Sequence, residues 1–288
     1  MDEVARADET ARADETVRAF VPGHVTGFFA VHRDADPTRT GSTGAGVALT
    51  DGVTVEIEYA RETAVRIDGE PAEVAAVERV LEALSVTAAV RVETEIPVGA
   101  GFGTSGAMAL GTALAANELF AGRLSENELT TVAHGAEVQA GTGLGDVIAQ
   151  ARGGVPLRLE PGGPHHCVID AIPARRRIEY VSFGERSTGA VIDGDTDRID
   201  RAGEEARSLV VSKPTLEQFM YASRRFAREA ELLTDDVQGA IEAVGDEGGE
   251  AAMAMLGNTV FALDRGLTEA GYDPHACKIH ACGASLVE

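Results

Sequence analysis

The chain of 288 residues is long enough for one large or two modest domains, and its 44% hydrophobic content is that of a globular protein. A net charge of −22, from 25 basic against 47 acidic residues, disfavours a nucleic-acid partner, which needs a basic face to meet its phosphates. There is no run of about 18 apolar residues and no signal-peptide pattern, so the chain is expected in the cytoplasm without membrane contact.

Only Lys213 and Lys278 among the cations are lysines; with the acidic excess this resembles a halophilic composition, which speaks to solvent rather than chemistry. Cys167, Cys277 and Cys282 are odd in number and free of a disulfide pattern, which suits a reducing compartment.

Residues 1–18 contain a tandem hexamer, Ala5 to Thr10 repeated as Ala11 to Thr16, charged and without large apolar groups, which reads as a disordered extension. Structure is expected from Ala19, where Phe20 and Val21 lead into Pro22-Gly23-His24-Val25 and the aromatics Phe28 and Phe29. A glycine cluster, Gly41 to Gly46, reads as a loop that could meet adenine. Val53, Val55, Ile57 and Tyr59 then alternate as a half-buried strand, and Pro71 is expected to open a helix with Val74, Val77, Leu81 and Leu84 on one face.

The central stretch runs from Val86 to Phe120. Val86 to Ile96 alternates with period two, Pro97 ends that strand, and Gly99, Gly101 and Gly103 lead through Thr104, Ser105 and Gly106 into an apolar helix that closes at Gly122. A helix that begins on small residues presents unpartnered amides and the positive end of its dipole, a ready site for phosphate, with Thr104 and Ser105 adding hydroxyls. The bland alternative is a capped strand-to-helix turn. A Walker A loop is excluded because no lysine is near. A Rossmann loop is disfavoured because the strand carries Arg91, Glu93 and Glu95, whereas a Rossmann strand is buried on both faces.

Ser125 and Glu128 form a capping-box signature for a helix to about Ala140, on which His134 and Glu137 share a face. A third glycine-rich turn, Gly141 to Gly145, ends at Asp146, and Gly153-Gly154 precede a strand carrying Arg158. Later segments read as strands over Ile178 to Phe183 and Thr188 to Ile192, a helix capped by Thr215 and a further helix from about Gly249 through Leu263.

Three of these segments together resemble the GHMP kinases. Pro97-x-x-x-Gly101-Phe102-Gly103-Thr104-Ser105-Gly106 is similar to that family's phosphate loop, Pro22-Gly23-His24-Val25 to its first motif, and Gly143-x-x-Asp146 with Gly153-Gly154 to its acidic loop and next strand. The first motif lacks the Gly-Glu-His continuation of the sugar and mevalonate enzymes, and its wording, with Gly41 to Gly46, resembles the archaeal branch that phosphorylates pantoate. A degenerate glycine-rich segment, Lys278 to Ser285, stands for the family's last motif.

The resemblance implies an α+β, two-domain fold: a ribosomal protein S5 domain 2-like N-terminal part over 19–165 and a ferredoxin-like α/β sandwich over 166–288. It implies ATP and Mg²⁺, with Pro97, Gly99, Gly101, Gly103, Thr104, Ser105 and Gly106 holding nucleotide, Ser105 and Glu137 ligating the metal, and Asp146 as base or substrate-positioning group. A small hydroxy acid such as pantoate needs a planar donor for its carboxylate; Arg158 is the choice, Arg152 the reserve, with His24, His134 and Thr188 as further substrate contacts. A kinase for homoserine, shikimate or a mevalonate derivative, or a non-catalytic nucleotide-binding module, are the alternatives. A homodimer is the default for such an enzyme.

Overall fold

A computed structural model describes residues 15–184 and 196–288. Most of the expected extension, the strand expected at Thr188 to Ile192, and Thr188 itself lie outside the described residues. Strand β1 (Thr16–His32) begins ahead of the expected Ala19, so Thr16 to Arg18 are strand rather than extension. It pairs antiparallel with β2 (Gly41–Tyr59) from Thr16↔Glu58 to His32↔Gly41.

The cluster Gly41 to Gly46 is therefore strand and not an adenine-facing loop. Its glycines serve close approach: a Cβ on Gly44 would lie 2.2 Å from the Phe28 carbonyl oxygen, and one on Gly46 would lie 2.2 Å from His24 Nε2. Short strands β3 (Ala64–Ile67) and β4 (Glu70–Pro71) follow, and helix α1 (Ala75–Leu84) starts later than Pro71, which sits in β4.

Strand β5 (Ala88–Thr94) lies between β2 and β3. Its outward residue Arg91 pairs with Glu56 at 2.7 Å and Glu58 at 2.6 Å, so the polar half of the alternation faces solvent as expected. Helix α2 (Thr104–Leu119) covers the apolar face. It is buried nearly all round, and a Cβ on Gly111 would come within 2.6 Å of the Val55 side chain, so the helix lies directly on the sheet. Helix α3 (Glu126–Ala140) packs on α2 and begins with the expected Ser125–Glu128 capping box.

Helix α4 (Asp146–Arg152) leads to β6 (Val155–Glu160), which pairs with β2, and β7 (Val168–Ile172) pairs with β6. Strand β7 thus carries the first sheet on to Ile172. The chain crosses over between Ile172 and β8 (Arg177–Ser182). Helices α5 (Asp197–Ser212), α6 (Leu216–Glu229) and α7 (Asp235–Asp246) follow.

The helix expected from Gly249 to Leu263 is a hairpin of β9 (Ala251–Ala254) and β10 (Thr259–Leu263). Both strands are buried on both faces, so their apolar run carries no period; the turn residues Gly257 and Asn258 were the signal. Helix α8 (Gly266–Glu269) and β11 (His275–Lys278) complete a sheet ordered β11-β8-β10-β9, the fourth-first-third-second order of the ferredoxin-like arrangement. Strand β12 (Ser285–Val287) then returns to pair with β1.

The hairpin turn presses on the loop before α2: a Cβ on Gly257 would lie 2.0 Å from the Ala100 carbonyl oxygen. Gly257→Ala should cost more than about 2 kcal/mol in urea unfolding, because backbone must move. Gly239→Ala, in the middle of α7 with nothing within 4 Å, should instead stabilise by roughly 0.5–1 kcal/mol.

Candidate active site

The loop from Pro97 to Gly103 is tied down through its carbonyls. Ala100 accepts from the Thr259 hydroxyl at 2.9 Å, Phe102 from the His24 amide at 2.9 Å, and Gly103 from the Gln150 side-chain amide at 2.9 Å. Phe102 packs edge-on against Tyr180, ring centroids 4.8 Å apart. Gly103 takes φ 63 as the N-cap of α2, a conformation that leucine or serine would resist, and no side chain caps the helix. The amides of Thr104, Ser105 and Gly106 therefore lack helical partners.

In front of them lies a cavity of about 560 Å³. Gly99, Gly101, Gly103, Thr104 and Ser105 line it, as do Asp146 and Arg158. Pro97 and Gly106 do not: Pro97 is exposed, and a Cβ on Gly106 would meet Gln150 Oε1 at 3.1 Å, so that glycine seats α2 on α4.

Asp146 opens α4, whose short helix is launched by the Gly141 to Gly145 turn. His24 Nδ1 lies 2.7 Å from Asp146 Oδ1. Burial pulls the His24 imidazole below its ordinary range, more than the Asp146 bond restores, so the ring is neutral with Nδ1–H donating. Burial alone would push Asp146 up. The His24 bond and the charge of Arg158 outweigh it and hold the carboxyl below the usual range, with 26% of the side chain still open.

Glu137 behaves oppositely. It is 2% exposed on α3, and burial pushes its carboxyl up to about 7 despite hydrogen bonds from the Thr142 hydroxyl, at 2.6 Å, and from Ser105, with the nearby Asp146 charge raising it further. Among the described residues no basic side chain pairs with it. Ser105 and Glu137 are hard oxygen donors at the foot of α2 beside a second carboxylate, a set that fits a divalent cation such as Mg²⁺ by charge and donor type.

Arg158 is 2% exposed on β6, against β2. Its Nε donates to the Ser42 carbonyl at 3.3 Å and one terminal nitrogen to the Ser42 hydroxyl at 3.4 Å, while the other terminal nitrogen has no protein partner. The guanidinium is buried while the residue lines the cavity, where it offers a carboxylate a planar charged donor. Arg152 is exposed, away from the cavity.

His24 touches the site through Asp146 rather than through the cavity surface. His134 is buried and near enough to Arg158 to feel its charge, but its Nε2 lies 2.8 Å from the Thr40 carbonyl, and it does not line the cavity. Thr142, Thr26, Ser42 and the hairpin residues Met255 and Leu256 do line it, unmarked in the sequence because each arrives by tertiary contact. The segment Lys278 to Ser285 is elsewhere: the His280 amide bonds Ala48 and the Ala284 amide bonds Gln150. The β9–β10 turn is the part of the second sheet that lies against the loop before α2.

Residues 73–154 match the family profile described as the GHMP kinases N terminal domain. The pantoate kinase of Methanocaldococcus jannaschii is 33% identical over 253 residues, 85% of this chain and 92% of that protein. The pantoate kinase of Thermococcus kodakarensis is 35% identical over 263 residues, 86% of this chain and 87% of that one. Among solved structures, one described as a phosphotransferase related to the CoA biosynthesis pathway superposes with a TM-score of 0.86 at 29% identity, covering 95% of this chain and 99% of that one. Homoserine kinase from Cytophaga hutchinsonii superposes at 0.67 with 17% identity, covering 95% and 98%, a likeness of fold.

The raised Glu137 carboxyl has a consequence for stability. Between its usual 4.5 and about 7 the unfolded chain is ionised there while the folded one holds the proton. Folding then takes up a proton, so this group's contribution falls as pH rises through that window and levels off above it. In chelator-treated protein, Glu137→Gln should remove this fall. Urea unfolding from pH 4.5 to 7 should give the variant a gain over the parent on the order of 3 kcal/mol across the window.

Proposed function

The chain belongs to the GHMP kinase family, and on that premise we propose that it transfers the γ-phosphate of ATP to the primary hydroxyl of pantoate, giving 4-phosphopantoate for coenzyme A synthesis. The relatives named pantoate kinase, at 33–35% identity over most of the chain, support this acceptor. The observation that carries it is Arg158: a buried cation with an unpartnered N–H pair, on the same cavity as Asp146 and the tip of α2.

The phosphate tail of ATP lies against the amides of Thr104 and Ser105, where the helix dipole favours negative charge. Arg158 takes the acceptor's carboxylate, and Phe29 and Leu144 offer apolar wall for its branched carbon. Ser105 and Glu137 would hold Mg²⁺, which would supply charge neutralisation to the phosphate tail. The acceptor hydroxyl points at Asp146, which accepts its hydrogen bond.

As the hydroxyl oxygen bonds the γ-phosphorus and the bond to the bridging oxygen breaks, the hydroxyl proton passes to Asp146 and ADP leaves. A carboxylate held below its ordinary range is a weak base, so it takes the proton late, once the oxygen has begun to bond phosphorus. His24 orients the Asp146 carboxylate by bonding its Oδ1. The site residues Pro97 and Gly106 shape and seat the phosphate loop, and His134 holds the Thr40 segment beside Arg158. Among the described residues no helix is long and apolar enough to cross a membrane, and Cys277 is a buried free thiol; both agree with a cytoplasmic enzyme.

ADP release against a panel of hydroxy acids in high salt, with Mg²⁺, tests the assignment, and pantoate should be the preferred acceptor. Asp146→Asn should lower kcat by roughly 10²–10⁴-fold with ATP affinity nearly unchanged. Arg158→Met should raise KM for pantoate by on the order of 10²-fold and leave KM for ATP alone, as expected for loss of a charge-assisted bond. Equal effects on both substrates would remove Arg158 from the acceptor site.

A further inference from the structure

The turn between β9 and β10 runs through Met255, Leu256, Gly257 and Asn258, and Leu256 sits at φ 67. Among the described non-glycine residues with left-handed backbone, it is the one that lines the cavity. Glycine takes this conformation freely, whereas the Cβ of leucine is crowded there, so such a residue persists only where its surroundings over-determine it.

They do so from both domains. The Met255 amide donates to the Thr26 carbonyl at 2.9 Å, and the Thr259 hydroxyl to the Ala100 carbonyl at 2.9 Å. A Cβ on Gly101 would meet the Met255 carbonyl oxygen at 3.0 Å. The Asn258 side chain bonds Thr234 at 2.6 Å and the Phe183 carbonyl at 3.3 Å. The turn is thereby clamped between Thr26, on the acceptor side, and Ala100-Gly101, on the phosphate side. Leu256, half-buried, is the residue at their junction.

We propose that Leu256 is a specificity-determining residue, whose side chain covers the point where terminal phosphate meets acceptor and keeps water from attacking in place of the alcohol. The proposal rests on the kinase reading above. In the suppressed reaction a water oxygen bonds the γ-phosphorus, the bond from that phosphorus to the bridging oxygen breaks, ADP leaves with the electron pair and the proton passes to solvent. An apolar side chain removes the space for that water and offers no hydrogen bond to align one. The strained backbone is the cost of placing it there.

The test measures ADP and phosphorylated pantoate in the same reaction, with Tm alongside. The parent chain should release one ADP per product. Leu256→Gly should release ADP in excess of product, with phosphate from hydrolysis rising on the order of tenfold, while its Tm is at or above the parent's because the strain is relieved. Leu256→Met should restore coupling. Intact coupling in the glycine variant overturns the proposal, and so does uncoupling accompanied by a lowered Tm, which would mark a structural role. If the unmutated chain phosphorylates no hydroxy acid, the kinase reading falls and this proposal with it, a failure visible before any substitution.

Discussion

The structure depends on an uncapped helix tip whose preceding loop is held by its carbonyls. Backbone offers phosphate both a donor and an acceptor, and only the donor is welcome. By committing the carbonyls of Ala100, Phe102 and Gly103 to Thr259, His24 and Gln150, the fold turns the electronegative side of the loop away from the cavity. The amides at the start of α2 are left with the helix dipole behind them. Such a tip offers positive potential without a charged side chain, in a chain of net charge −22.

Burial and unequal partners drive two neighbouring carboxyls apart. Asp146 and Glu137 are both drawn from water, yet one receives His24 and the Arg158 field while the other receives only hydroxyl hydrogen bonds. Asp146 is consequently anionic and ready to take a hydroxyl's hydrogen bond, and Glu137 is short of positive charge. Two acids with separated affinities for the proton can hold two roles. The charge of Arg158 helps keep Asp146 ionised, while one of its own terminal nitrogens is left without a protein partner.

Much of this was legible in the sequence. The alternation in β5, the glycines ahead of α2 and the capping box of α3 are local signals, each written in a few consecutive residues and each found where expected. What was missed came from contacts distant in sequence. Gly44 and Gly46 look like a loop until Phe28 and His24 are laid against them, and β9–β10 looks helical because strands buried on both faces have no polar side to betray their period. His134 shares a face with Glu137 as its spacing requires, but the face alone could not say that Thr40 would claim its ring. The segment Lys278 to Ser285 stood for a glycine-rich motif with Gly283 alone, whereas the contact with the loop before α2 is made by the β9–β10 turn and Thr259.

Both sheets are therefore needed for one site. The first sheet and its helices supply the amides, the acids and Arg158; the second supplies a turn so close to the loop that Gly257 has no room for a side chain. Had β8 to β11 formed a freely swinging domain, the Thr259 bond to Ala100 and the Tyr180 packing on Phe102 would break with every excursion, and the loop carbonyls would be released to face the phosphates. The return of β12 to pair with β1 opposes that motion by anchoring the second unit at both of its ends. Rigidity at the loop is thus set by both sheets, and the place where they meet borders the cavity that Gly101, Met255 and Leu256 line.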